Sequence, residues 1–203
     1  MANVTGICNQ ALSRLGGNLI ININDETNEA RLCKANYVNV RDIVLEEHQW
    51  SFAVARFQLP ISIVKDDADQ YSNKFLIPPN VINIIRAGDD KDDRHQNSTS
   101  WRIEGKYIVS NVDKLYVKAI VRVGDPGLYS PMFIQAVAIR LAAEIAVALT
   151  NKVPLQQSLF QEYEFVLAKA AQKDGQQGSG ERIRSKRYIN TRQGGGSYIG
   201  SEV

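Results

Sequence analysis

Apolar residues recur at spacings of three and four near both ends of the chain, and in short β-branched or aromatic runs through its middle. Over residues 5–15, Val4, Ile7, Cys8, Ala11, Leu12 and Leu15 share one stripe, which predicts a helix that Gly16-Gly17 ends. Over residues 28–48, Ala30, Cys33, Tyr37, Val40 and Val44 step in the same way, with Asn28 as N-cap. Around Trp50 the period changes. Residues 51–59 shift towards β character, and residues 81–85, 101–104, 107–109 and 115–123 read as strands separated by Gly, Pro and Asp clusters. Glu104-Gly105-Lys106 has the chemistry of a hairpin turn. The run LYVKAIVRV, residues 115–123, is the strongest strand signal in the chain.

The helical period returns after the turn residues Gly124-Asp125-Pro126-Gly127. Ser130 followed by Pro131 is an N-cap with proline at the first helical position, and Pro154 opens a fourth helix similarly. Leu155, Leu159, Tyr163, Val166, Leu167 and Ala170 make the stripe of that last helix, which Gly175 stops. The third helix differs from the others. Nearly every position over residues 132–149 is apolar, and a helix apolar almost all round must be covered almost all round. Either the β region of the same chain or a neighbouring subunit satisfies that demand, and periodicity does not separate the two. The expectation carried forward is the lateral contact, with Phe133, Val137, Arg140 and Glu144 as its interface residues. The same run is about long enough to span a bilayer, but Arg140 and Glu144 in its middle argue against a membrane span.

These elements predict an α+β chain: an antiparallel four-helix bundle with a β-rich domain inserted between helices two and three, plus an extended C-terminal arm. The expected divisions are residues 1–50 and 127–174 for the bundle, 51–126 for the insert and 175–203 for the arm. The arm carries seven glycines, five basic residues and six apolar ones. Ordering it costs about 30 kcal/mol or more, whereas burying six apolar side chains returns only ~10–18 kcal/mol. It therefore calls for another surface to hold it. Its cations are Arg182, Arg184, Lys186, Arg187 and Arg192, and its anchors are the pairs Tyr188-Ile189 and Tyr198-Ile199. Such pairs suit a protein groove or the edge of another sheet.

The 203 residues suffice for one sizeable core or two small ones, and 44% apolar with 23% charged residues is ordinary for a globular protein. A net charge of +2 gives no whole-molecule attraction for nucleic acid or anionic lipid; the asymmetry is local, with cations over residues 181–192 and acids over residues 66–93. No secretion leader is expected. Cys8 and Cys33 each fall on a helical stripe and read as core. His48 ends a helix, where a cation suits the dipole, and His95 sits in a polar loop. The acid runs 89–93 and 66–69 lack the alternation and central Gly of a calcium loop. Metal-helix, nucleophile-elbow, phosphate-loop and dinucleotide patterns do not occur. No catalytic residue, metal or cofactor is expected.

Several segments resemble the head-to-tail adaptors of tailed phages, specifically the tail tubular A family of short-tailed phages. They are Cys8-Asn-Gln-Ala-Leu-Ser-Arg-Leu-Gly16, then Leu45-Glu-Glu-His-Gln-Trp50-Ser-Phe-Ala-Val-Ala-Arg56 with its Trp-x-Phe-Ala-x-x-Arg pattern, and Tyr71-Ser-Asn-Lys-Phe-Leu-Ile-Pro-Pro79. The alanine-rich stretch 133–149 and the closing stretch 163–176 resemble the family's last two helices. The likeness spans about residues 4–179 and leaves the arm unmatched. It implies a non-catalytic virion protein of the tail or neck, assembled in the host cytoplasm. Such a protein forms a ring, typically a dodecamer, that joins the portal protein above to the tail nozzle protein and often tail fibres below, with the genome passing through the bore. The arm, through Arg182, Arg184, Lys186, Arg187, Tyr188, Ile189, Tyr198 and Ile199, would then dock on the portal. The alternative is a nucleic-acid-binding helical module whose basic tail grips phosphates.

Overall fold

The computed structural model describes residues 2–64, 71–90 and 100–175. The arm residues Arg182, Arg184, Lys186, Arg187, Tyr188, Ile189, Tyr198 and Ile199 lie outside that range, as do His95 and most of both acid runs.

The chain opens with α1 (Val4–Leu15) and α2 (Asn28–Glu47). Asn3 caps α1 by accepting from the Gly6 amide, and Gly16 ends it at φ 69°, a left-handed turn that glycine adopts without strain. Thr27 rather than Asn28 caps α2, its Oγ1 accepting from the Ala30 amide at 3.2 Å. A short 3-10 turn (Ser51–Ala53) leads into β1 (Val54–Leu59), β2 (Ile61–Val64), β3 (Asn73–Leu76), β4 (Val81–Gly88), β5 (Trp101–Glu104), β6 (Tyr107–Ser110) and β7 (Leu115–Val121). Two helices close the fold, α3 (Pro131–Thr150) and α4 (Val153–Gly175). Ser130 caps α3 as expected, accepting from the Phe133 amide at 3.2 Å, and Asn151 ends it at φ 54°.

The strands form two antiparallel sheets, β1-β7-β4 and β2-β3-β6-β5. The run that reads most strongly as a strand, β7, is the middle of the first sheet. β5 and β6 are the expected hairpin, Glu104 pairing with Tyr107 across Gly105 at φ 59°. Leu59, Ala87, Leu115, Val117 and Ala119 of the first sheet meet Phe75 and Ile108 of the second in a core between the sheets.

The α+β class holds, but the antiparallel four-helix bundle with an inserted β domain does not. In such a bundle each helix touches two neighbours and keeps a wet face. Here α3 is a hub: α1, α2 and α4 each pack chiefly on it, and α1 and α2 barely touch one another. Composition explains the arrangement. Ala136, Ala138, Ala142, Ala143 and Ala146 are all buried, and small side chains let neighbouring axes approach on several sides at once. The first sheet is not part of a separate insert either, because Ile120 is buried in the helical core with Ile82, Ile85 and Val123 packed against it. The hub helix is long and apolar enough to cross a membrane by length and composition, and 56% of its most apolar window is buried within the chain.

Candidate functional site

Of the four residues expected to form an interface on α3, two are buried inside the chain. Phe133 and Val137 are both 0% exposed, covered by the chain's own residues, so neither is available to a neighbour. Arg140 and Glu144 pair with each other one turn apart at 3.0 Å. The Arg140 guanidinium also lies over the rings of Phe160 and Tyr163, at 4.9 and 5.3 Å from their centroids. Thus α4 packs over Arg140, while Arg140 and Glu144 both stay partly exposed.

The segment carrying the Trp-x-Phe-Ala-x-x-Arg pattern lies where helices and sheet meet. Trp50 is fully buried, and its indole N–H donates to the Val44 carbonyl at 2.7 Å, satisfying one of the open acceptors at the end of α2. Its ring meets Phe133 edge-on at 5.0 Å, and Phe52, Tyr129 and Phe133 stack around it at 4.8–5.6 Å from one another. His48 caps α2 and meets Trp50 edge-on at 5.0 Å, so the residue read from sequence as a dipole partner is also an aromatic one. Arg41 and Arg122 grip the two oxygens of Asp42, at 2.7 Å each, tying α2 to the chain just past β7.

Asp174 closes this junction from the other end of the chain. It sits in the last turn of α4, only 7% exposed, and its Oδ2 accepts from both the amide and the hydroxyl of Ser51 at 2.9 Å. His48 Nε2 stands 3.5 Å from the same oxygen. Tyr163, about three turns earlier on α4, donates its hydroxyl to Glu47. Burial, then that bond to a carboxylate, push the Tyr163 hydroxyl well above its ordinary range. The end of α4 is therefore fixed to the start of the sheet across 123 residues of sequence.

A groove of about 710 Å³ opens here, lined by Glu46, Glu47, His48, Ser51, Asn83 and Asp174 among others. Three carboxylates and one imidazole make its polar wall acidic. Asp174 stands one residue before Gly175, the last residue of α4. Sequence reasoning missed Asp174 as a functional position, because an acid near a helix C-terminus gives no local sign of a partner 123 residues away. It also missed the large exposed apolar side chains: Ile21 at 94%, Phe165 at 71% and Leu19 at 63%. Among the described residues, no group of three or more His, Cys, Asp or Glu side chains is placed to hold a metal ion.

Cys8 and Cys33 are both buried between α1 and α2 as core residues, with adjoining thiols. The hydrogen bond with the Cys33 sulfur, and then burial, push the Cys8 thiol upward. No protein-family model matches the chain, and no curated protein matches it in sequence.

Proposed function

We propose that this chain is a structural, non-catalytic subunit of a phage head-to-tail adaptor, which closes into a ring between portal and tail nozzle. The observation that carries the reading is the clamp at Asp174. A terminal arm that must find a partner surface works best when it leaves the body at a fixed place and in a fixed direction. The buried carboxylate, held by two hydrogen bonds from Ser51, provides that origin. It bonds the residue between Trp50 and Phe52, two positions of the Trp-x-Phe-Ala-x-x-Arg pattern that is one part of the family resemblance.

The ring contact moves from α3 to the exposed apolar positions. Ile21 and Leu19 project from the loop after α1, and Phe165 from the outer side of α4. A closed ring needs two different patches that match between neighbours. The portal contact stays with the arm, whose cations and Tyr-Ile pairs order on docking; many weak arms on one ring then hold through avidity. The genome passes through the bore, and tail fibres are a further partner of the assembled neck.

The test is assembly. Mixed with portal rings, the purified chain should give a closed annulus in negative-stain images, with its C-termini directed at the larger ring. A monomer that never forms rings, but binds duplex DNA with a steep loss of affinity as salt rises, would support the nucleic-acid module instead.

A further inference from the structure

The first sheet ends at β4. That strand pairs with β7 along one side, and among the described residues no strand lies along its other side. An outer strand leaves main-chain N–H and C=O groups unpaired, and proteins blunt such an edge with bulges, charges or a covering element. β4 is blunted in part. Its register with β7 shifts between Val81 and Asn83 and again between Ile84 and Arg86. The shifts bracket Asn83 and Ile84, so the edge offers a short run of pairing groups and no template for a long one. Ile85 packs on the helical core and Ile84 on the core between the sheets, so apolar side chains flank that run.

The junction groove of about 710 Å³ opens against this part of the edge, with Asn83, Ile84 and Ile85 in its wall. The same wall takes in Glu46, Glu47 and His48 from the end of α2 and Asp174 from the end of α4. Among the described residues, no lysine or arginine lines it. Both helices end here, and a helix C-terminus carries partial negative charge. The last turn of α4 holds one basic residue, Lys173, and that of α2 holds none. His48 Nε2 is sealed from solvent, makes no hydrogen bond and stands 3.5 Å from Oδ2 of Asp174. The groove is thus rich in acceptors and short of cations.

We propose that this groove docks a short extended segment of a partner protein that carries Lys or Arg. Its main chain lies along Asn83 and Ile84 as an added strand, and its cations meet Glu46, Glu47 and Asp174. Charge selects the partner. A neutral or acidic strand would leave three carboxylates and two helix C-termini unmatched, and such mismatch rejects wrong partners. The edge selects the shape, because only an extended chain can pair with the main chain of β4. Side chains alternate along a strand, so basic residues two apart turn together towards the wall. With so short a pairing run, charge supplies much of the affinity, and salt weakens the complex. The site stands on sheet order and wall charge, and holds whether or not the chain is an adaptor subunit.

Fluorescence anisotropy on the full-length chain tests it, with a short labelled peptide that alternates lysine and valine. The controls are the same peptide with glutamate for lysine, and the lysine peptide N-methylated at its valines. Binding of the lysine peptide that falls at least about fivefold when Glu46→Gln and Glu47→Gln are combined supports the wall. A loss of about tenfold on N-methylation supports the added strand. Glu46→Gln alone, on an exposed side chain, repeats the test with a loss of about twofold should the double variant fold poorly. No binding of the lysine peptide, equal binding of the glutamate or N-methylated peptide, or unchanged affinity in the variants would each overturn the proposal. Two further outcomes give the groove another occupant and overturn it as well. Binding that appears only after Arg182, Arg184, Lys186 and Arg187 are changed to Gln assigns the groove to the chain's own arm. Self-association of the full chain that Glu46→Gln abolishes assigns it to a second copy.

Discussion

Single side chains at the junction have consequences that can be measured one at a time. Asp174 accepts two hydrogen bonds from Ser51 in a nearly closed environment, and bonds to a charged acceptor are each stronger than neutral ones. Asp174→Ala should cost about 2–3 kcal/mol in urea denaturation, because it also strands the Ser51 amide. Ser51→Ala should cost only about 1 kcal/mol, since the amide bond survives. Equal losses would mean that the hydroxyl, not the carboxylate, holds the clamp. Tyr163 gives a pH signature. Its folded form keeps the proton above the ordinary tyrosine value of 10.0, where the unfolded chain has lost it. Stability from this residue is thus complete below pH 10 and declines as pH rises beyond it, by up to about 1.4 kcal/mol per pH unit. Burial raises Tyr37 and Tyr129 in the same direction, so the alkaline limb should be steep. Tyr163→Phe should make it shallower by close to one proton, measured as the slope of unfolding free energy against pH.

At the scale of elements, the stripes of α1, α2 and α4 are legible because each helix has one apolar side, and that side faces the core. The hub helix shows the limit of that signal. An all-round apolar pattern states that α3 is covered, but the covering helices are named only by the packing, so Phe133 reads equally well as core or as interface until burial decides. The prediction follows from that decision. Phe133→Ala should lose about 3–5 kcal/mol in the isolated chain, as for a large side chain removed from a closed core. Phe165→Ser, on the outer side of α4, should change monomer stability by no more than about 0.5 kcal/mol. A Phe133→Ala chain that folds normally yet fails to assemble would restore the lateral reading of α3. The two sides of β7 are legible in part: Tyr116 and Lys118 interrupt an otherwise apolar strand at a spacing of two, which marks a face other than that of Leu115, Val117 and Ala119. That Arg56 and Arg86 stand on either side of Lys118 depends on strand order and on a register shift in β4, and neither is written locally in the sequence.

For the whole molecule, the division of labour between body and arm is the claim that assembly tests most directly. The body has two cores, one among the helices and one between the sheets, formed among the described residues from Val4 to Ala170. On the sequence reading, residues 176–203 supply five cations and two Tyr-Ile pairs, all outside the described residues. Ending the chain at Gly175 keeps Asp174, Ser51 and the aromatic junction intact. The shortened protein should therefore unfold at the same midpoint as the full chain in a calorimetric scan. Its failure should appear only when a partner is offered: heads filled with genome should no longer acquire tails in a complementation assay, while the ring contact through Ile21 and Phe165 survives. Asp174→Asn in the full-length chain separates the arm from its anchor point, since it keeps the arm's chemistry and weakens the charged acceptor that fixes where the arm begins. Reduced attachment in that variant, with the arm present and the body folded, would locate the defect in the direction of departure. Normal attachment by the shortened chain would remove the arm from the mechanism altogether and leave the ring surface as the only means of joining.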